Sequence, residues 1–177
     1  MADEENVILL TDPEWRGADD VDAPPFEAVV GLWPVEPDGS VGPFRSNPDY
    51  RPVSEESPSD PVDALLQLTL RGDAEVEHLQ LVLRGCLVDQ ALNGDGRPLL
   101  SRADDDVLCA IVATGAPHRA RIASPDWRQV GLAELVAALP DGVDLLVNPG
   151  GPAGVRLTGD FVRATAAMDL GGRPSAA

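Results

Sequence analysis

The chain has no lysine: all thirteen of its basic residues are arginine. Set against thirty aspartates and glutamates, they leave a formal net charge of −17 and a pI near 4.2. An acidic excess of this size repels nucleic-acid phosphate and anionic lipid headgroups, which excludes both as direct partners. It favours solubility or a basic protein partner. The replacement of lysine by arginine we read as the coding bias of a GC-rich genome.

Cysteine, histidine and aromatic residues are also scarce. Cys86 and Cys109 each sit in an apolar run and are expected as buried free thiols, because unpaired cysteine behaves as a small hydrophobe. A disulfide is disfavoured in a chain without an export signal. Two histidines, His78 and His118, are too few for a metal site of the usual spacing. There is no long hydrophobic run near the start: Val7–Leu10 gives four apolar residues after an acidic stretch, neither a signal peptide nor a membrane span. A cytoplasmic protein is expected.

Chemistry-bearing motifs are missing as well. No serine lies in a G-x-S-x-G elbow, no cysteine neighbours a histidine, and neither H-E-x-x-H nor C-x-x-C occurs. Asn93-Gly94-Asp95-Gly96 resembles part of a calcium loop, but either glycine register puts Arg102 or Leu100 where the final carboxylate belongs. No catalytic residue, metal or cofactor is therefore expected. An enzyme built on carboxylates would need Asp95, Asp104 and Asp106 to converge in one pocket.

What is present divides unevenly. Residues 1–60 hold nine of seventeen prolines, fifteen of thirty carboxylates and only three arginines, so twelve of the seventeen net negative charges lie there. Yet the same segment carries Trp15, Phe26, Trp33, Phe44 and Tyr50, five of the seven aromatics. Rings that bury large areas argue for a ribbon held on a core rather than for disorder. Val7–Leu10 suits a short strand. Ala28–Val35 and Val41–Phe44 suit a hairpin turning at Asp38-Gly39, with Pro34 restricting it to an edge. Arg51–Ser59 reads as a solvated linker.

Helical signals begin at Asp60-Pro61-Val62-Asp63, a cap, a first-position proline and a first-turn carboxylate, and end at Arg71-Gly72. A longer helix is expected from Ala74 to about Leu92, with Gly85 its weak point. Pro98–Ser101 and Val107–Ala113 read as strands around a charged loop at Asp104–Asp106, and His118–Ile122 as a further short strand. Pro125-Asp126-Trp127 introduces a helix capped at Gly131. Val143–Val147 reads as a buried strand, Asn148-Pro149-Gly150-Gly151 as a type II turn and Val155–Leu157 as a returning strand. The last helix, about Gly159–Met168, is expected to bury Phe161, Ala164 and Met168. The expected fold is α+β: a mixed sheet packed by about four helices over 61–168, an irregular hairpin extension over 1–60 and a flexible tail over 169–177.

The apolar helix, the strand pair, the short helix ending in Leu-Pro-Asp-Gly-Val and the run Leu-Leu-Val-Asn-Pro-Gly resemble the SseB-like family, named for enhanced serine sensitivity. The N-terminal blocks are similar to an actinobacterial branch described as type VII secretion system-associated proteins. They are Val30–Val35, Val41–Tyr50 with its Gly-Pro-Phe-Arg-Ser-Asn-Pro-Asp core, and Ser59–Ala64. Together the two resemblances span most of the chain. They imply an α+β domain and a cytoplasmic accessory of an ESX-type export system, with no reaction, cofactor or catalytic set. Asn148, Pro149 and Gly150 form the signature turn.

The expected function is that of a non-enzymatic accessory or adaptor acting by protein–protein binding, with homo-oligomers not excluded. Its anchors would be Trp33, Phe44 and Tyr50, steered by the surrounding carboxylates towards a basic surface. The alternative for these rings is that they dock the ribbon on its own core. Competing functions are an immunity protein that neutralises a basic exported toxin and a small-ligand regulator using the turn at 148–154.

Overall fold

The computed structural model describes residues 6–17 and 23–168. The expected tail at 169–177 lies outside them.

The N-terminal part forms a three-stranded antiparallel sheet, β1 (Val7–Thr11), β2 (Val29–Pro34) and β3 (Arg45–Ser46), in that order. The expected hairpin is present but opens after one bridge, Val35 to Val41, before rejoining at Gly31–Ser46 and Leu32–Arg45. Pro34 does not make β2 an edge, because β1 lies on its other side. Val35 N–H donates to Asn6 O, and the alternation of an antiparallel ladder then turns the nitrogen of Pro34 away from β1. On the far side Pro34 only accepts, from Gly42 N–H at 2.8 Å. A proline at that place costs no ladder bond.

This sheet is not separate from the rest. Leu10, Val30 and Trp33 share one hydrophobic core with Val62, Leu65 and Leu66 of helix α1 (Pro61–Arg71), and that core continues to the far helices. Helix α1 is built as its signals dictate. Asp60 Oδ1 accepts from Val62 N–H and Asp63 N–H, both at 3.0 Å, and Gly72 closes the other end.

The main correction concerns the next segment. Helix α2 runs only from Val76 to Gly85, and Leu87–Leu92 is strand β4. Leu87, Val88, Ala91 and Leu92 fit a helical face, but the local alternation at Val88, Gln90 and Leu92 puts three buried side chains on one side of a sheet. Helix propensity lost to strand pairing at the glycine.

β4 enters a six-stranded mixed sheet with β5 (Leu100–Arg102), β6 (Leu108–Ala113), β7 (Asp126–Gly131), β8 (Asp144–Val147) and β9 (Val155–Leu157). The order is β7-β4-β6-β8-β9, with β5 paired to the first half of β6. β6 and β8 are parallel; the other pairs are antiparallel. Helix α4 (Leu132–Ala138) and helix α5 (Gly159–Ala167) pack with α2 over the face carrying Val88, Val112, Val130, Leu145 and Val147.

Three smaller expectations fail. Asp126–Gly131 is strand β7, not a helix lead-in. His118 lies in a short helix, α3 (Ala116–Arg119), not in a strand. α5 buries Val162 and Thr165, while Ala164 faces solvent. The class is nonetheless α+β as expected, and no helix among the described residues is long and apolar enough to cross a membrane.

Candidate functional site

Two places in the molecule concentrate unusual groups. The first is a polar cluster where the parallel strands β6 and β8 end, the side of an open sheet on which ligands gather in α/β proteins. Thr114 follows β6 and Asn148 follows β8. Asn148 is fully buried, with φ 51°, a backbone state that asparagine tolerates better than other side chains. The Pro149-Gly150 pair then makes the expected turn, with Gly150 at φ 74° and Gly151 N–H donating to Asn148 O at 2.9 Å. A side chain at Gly150 would be strained by that φ alone.

From Asn148 the bonds run in one direction. Its Oδ1 accepts from Thr114 N–H and its Nδ2 donates to Thr114 Oγ1, both at 2.9 Å. Thr114 Oγ1 donates to Asp60 Oδ2 at 2.7 Å, beside Ser59 Oγ–H at 2.7 Å. Asp63, one turn into α1, is 3% exposed; its Oδ2 accepts from Ser59 N–H at 2.9 Å and lies 3.1 Å from His118 Nε2. The ring N–H does not point along that contact, so His118 Nε2 and Asp63 Oδ2 have ion-pair proximity but no directed hydrogen bond, and Asp63 Oδ1 has none either. His118 is itself 2% exposed.

Asp60, Asp63 and His118 bring their donor atoms within 4.8 Å of one another, a spacing that invites a cation. Two observations oppose it. Asp60 already accepts four hydrogen bonds, two on each oxygen, which uses the carboxylate's acceptor positions. His118 Nδ1 lies 3.4 Å from Arg121 Nη1; because a guanidinium only donates, a hydrogen bond there requires the tautomer whose proton is on Nε2, the atom a metal would need. A metal-bound imidazole instead donates its second N–H to an acceptor. The cluster fits a clamp between α1, α3 and the two strand ends. Both nitrogens of His118 face charged groups, and among the described residues no hydroxyl or thiol hydrogen-bonds to it.

Beside the clamp lies an open cleft of about 310 Å³, lined by Ser46, Asp60, Val62, Cys86, Leu87 and Thr114. Burial pushes the Cys86 thiol up to about 11, helped by Asp60 and opposed by a Ser46 hydrogen bond. At neutral pH it is a protonated thiol and a poor nucleophile. Cys109 is also free and buried.

The acidic residues proposed for a carboxylate enzyme do not converge. Asp95, Asp104, Asp105 and Asp106 are all exposed; Asp106 pairs with Arg102 and Asp105 with Arg156. The Arg156 hydrogen bond holds the Asp105 carboxyl below its ordinary range.

The second place is the N-terminal sheet, around which the expected anchors Trp33, Phe44 and Tyr50 lie. Trp33 is 5% exposed and meets Phe44 in a tilted ring contact, 60° between planes and 4.7 Å between centroids. Phe44 lies so close over Gly31 that a Cβ there would overlap its ring. Tyr50 Oη lies 2.9 Å from Asp12 Oδ2 and 2.8 Å from Pro58 O, and its single proton can serve either. Burial first, then Asp12, raises its pKa. Asp12 is buried and also accepts from Glu14 and Val53 N–H. Trp33 is thus buried in the core, and Phe44 and Tyr50 pack against it half-buried, which is the docked arrangement named as the alternative for these rings.

What that sheet does present is β1. Val7, Ile8 and Leu9 are 39%, 48% and 41% exposed, three consecutive apolar residues on a strand that, among the described residues, has a neighbour on one side only. The ladder pairs Ile8 with Trp33 and Leu10 with Gly31, so the backbone N–H and C=O of Val7 and Leu9 point outward. Sequence reasoning identified the strand but not its position in the sheet. The signal available was its lack of any charge, glycine or proline, the devices that normally blunt an edge.

No protein-family model matches the chain, and neither curated proteins nor solved structures provide a match.

Proposed function

We propose that the protein is a non-enzymatic accessory or adaptor that works by binding another protein, in the cytoplasm beside a type VII secretion system. The observation that carries the binding half of this reading is the bare apolar edge of β1 in a chain of net charge −17. Exposed contiguous apolar surface on an otherwise highly charged protein marks an interaction site. The secretion half rests on the resemblance of Val30–Val35, Val41–Tyr50 and Ser59–Ala64 to secretion-associated proteins. The polar clamp supports the same reading from the other side, since its groups are occupied in holding the fold.

The test is crosslinking in the source organism followed by mass spectrometry. The proposal expects crosslinks from residues flanking β1 to a component or substrate of the export machinery. Recovery of no protein partner at low or high salt would overturn it. Partners unrelated to secretion would remove the second half and keep the first.

A further inference from the structure

Resting on the protein-binding reading above, we propose that the partner enters as an extended strand added to the outer edge of β1, and that this strand is apolar with arginine or lysine at its flanks. Strand addition is the recognition mode that an unpaired edge supplies: main-chain bonds give affinity and alternate side chains give specificity. The outward N–H and C=O groups of Val7 and Leu9 are the main-chain contacts. The exposed side chains of Val7, Ile8 and Leu9 offer apolar contact on both faces of the new strand.

The rest of the fold shows that this chain blunts its edges where it needs to. β7, one edge of the large sheet, carries exposed Asp126, Arg128 and Gln129, and β9, the other, carries Arg156 paired with Asp105. Among the described residues β1 has no such device apart from a register shift at Leu10/Thr11. An undefended edge is a hazard unless a partner uses it.

Charge selects the occupant. Exposed Glu36 adjoins the N-terminal end of β1 and exposed Glu27 its C-terminal end, within a segment of net charge −12 by sequence. A second copy pairing edge to edge would set two such segments against each other, whereas basic flanks are attracted.

The test uses the full chain and a fluorescent synthetic peptide of six alternating valines and threonines with two arginines at each end. Three comparisons accompany it: the same peptide ended by glutamates, the arginine peptide N-methylated at alternate residues, and the Leu9→Pro protein. In Leu9→Pro the proline removes an outward N–H that makes no bond to β2, so the sheet is retained while addition is blocked. The N-methylated peptide removes the same bonds from the other partner and leaves the protein untouched. The proposal expects saturable binding of the arginine peptide, loss of about tenfold or more in affinity with either blocked partner, weakening with added salt, and no binding of the glutamate peptide. It is overturned if the arginine peptide does not bind, if N-methylation leaves affinity unchanged, or if the protein self-associates through β1 instead. If crosslinking recovers the same partner with wild type and Leu9→Pro, strand addition falls and the adaptor reading stands. If it recovers none with either, both fall.

Discussion

The two sheets treat their unpaired groups in opposite ways. The six-stranded sheet closes itself: charged residues guard β7 and β9, and the ends of β6 and β8 are tied by Thr114, Asn148, Asp60 and the Asp63–His118 contact. The three-stranded sheet closes its interior just as well, with Trp33, Phe44 and Tyr50 docked, but leaves β1 apolar and half-paired. A dense collection of polar side chains thus ties elements of the fold together, while a plain run of valine, isoleucine and leucine is left exposed at an edge. Richness in titratable groups is a poor guide to function when most of their hydrogen bonds hold the fold.

The contrast can be broken most forcefully from the closed side. Asp63→Ala leaves the Ser59 N–H without its acceptor and His118 without the facing carboxylate in a buried setting. It should cost about 3 kcal/mol in urea unfolding while leaving peptide binding at β1 unchanged. A stability loss below about 0.5 kcal/mol would show that the clamp is not structural.

Gly150→Ala strains the turn at its positive φ and should cost about 1–2 kcal/mol, read by the same unfolding curve, again without effect on binding. Leu9→Pro reverses the pattern. Its expected stability change is under about 1 kcal/mol, because the lost N–H faces outward, yet peptide affinity should fall by about tenfold or more.

The smallest effect concerns Cys86. A thiol pushed to about 11 from an ordinary 9.0 has about a hundredfold less thiolate at pH 8, so alkylation followed by peptide mass spectrometry should be slower than for a free thiol by about that factor. Its folded value lies above its unfolded one, so this group's contribution to stability is complete below pH 9 and lost as pH rises towards 11.

Much of the fold was legible locally. The Asp60-Pro61 cap, the glycine after Arg71, the apolar run of β6 and the Val-Asn-Pro-Gly turn each state their own conformation through short-range sterics and hydrogen bonding. What escaped depends on distant neighbours. Leu87–Leu92 suits a helix or a strand until Asp126–Gly131 is available to pair with it, and β7 itself is too polar to announce a strand because it lies at an edge. The clamp was visible only in pieces. Asp60 read as a cap and Asn148 as a turn, but their meeting through Thr114 requires β6 and β8 to lie parallel and adjacent, which no local pattern specifies. The choice between anchoring and docking for Trp33, Phe44 and Tyr50 was open in the sequence for a related reason: composition shows that a ring must bury itself, not on which surface.

Residue-resolved amide hydrogen exchange along β1 tests the contrast most directly. In the free protein the Ile8 and Leu10 amides, bonded to β2, should be protected, and those of Val7 and Leu9 should exchange close to the rate of an open chain. Addition of the arginine-ended peptide should then protect Val7 and Leu9 as well. Strong protection of Val7 and Leu9 in the free monomer would mean the edge is already covered, and would contradict the account.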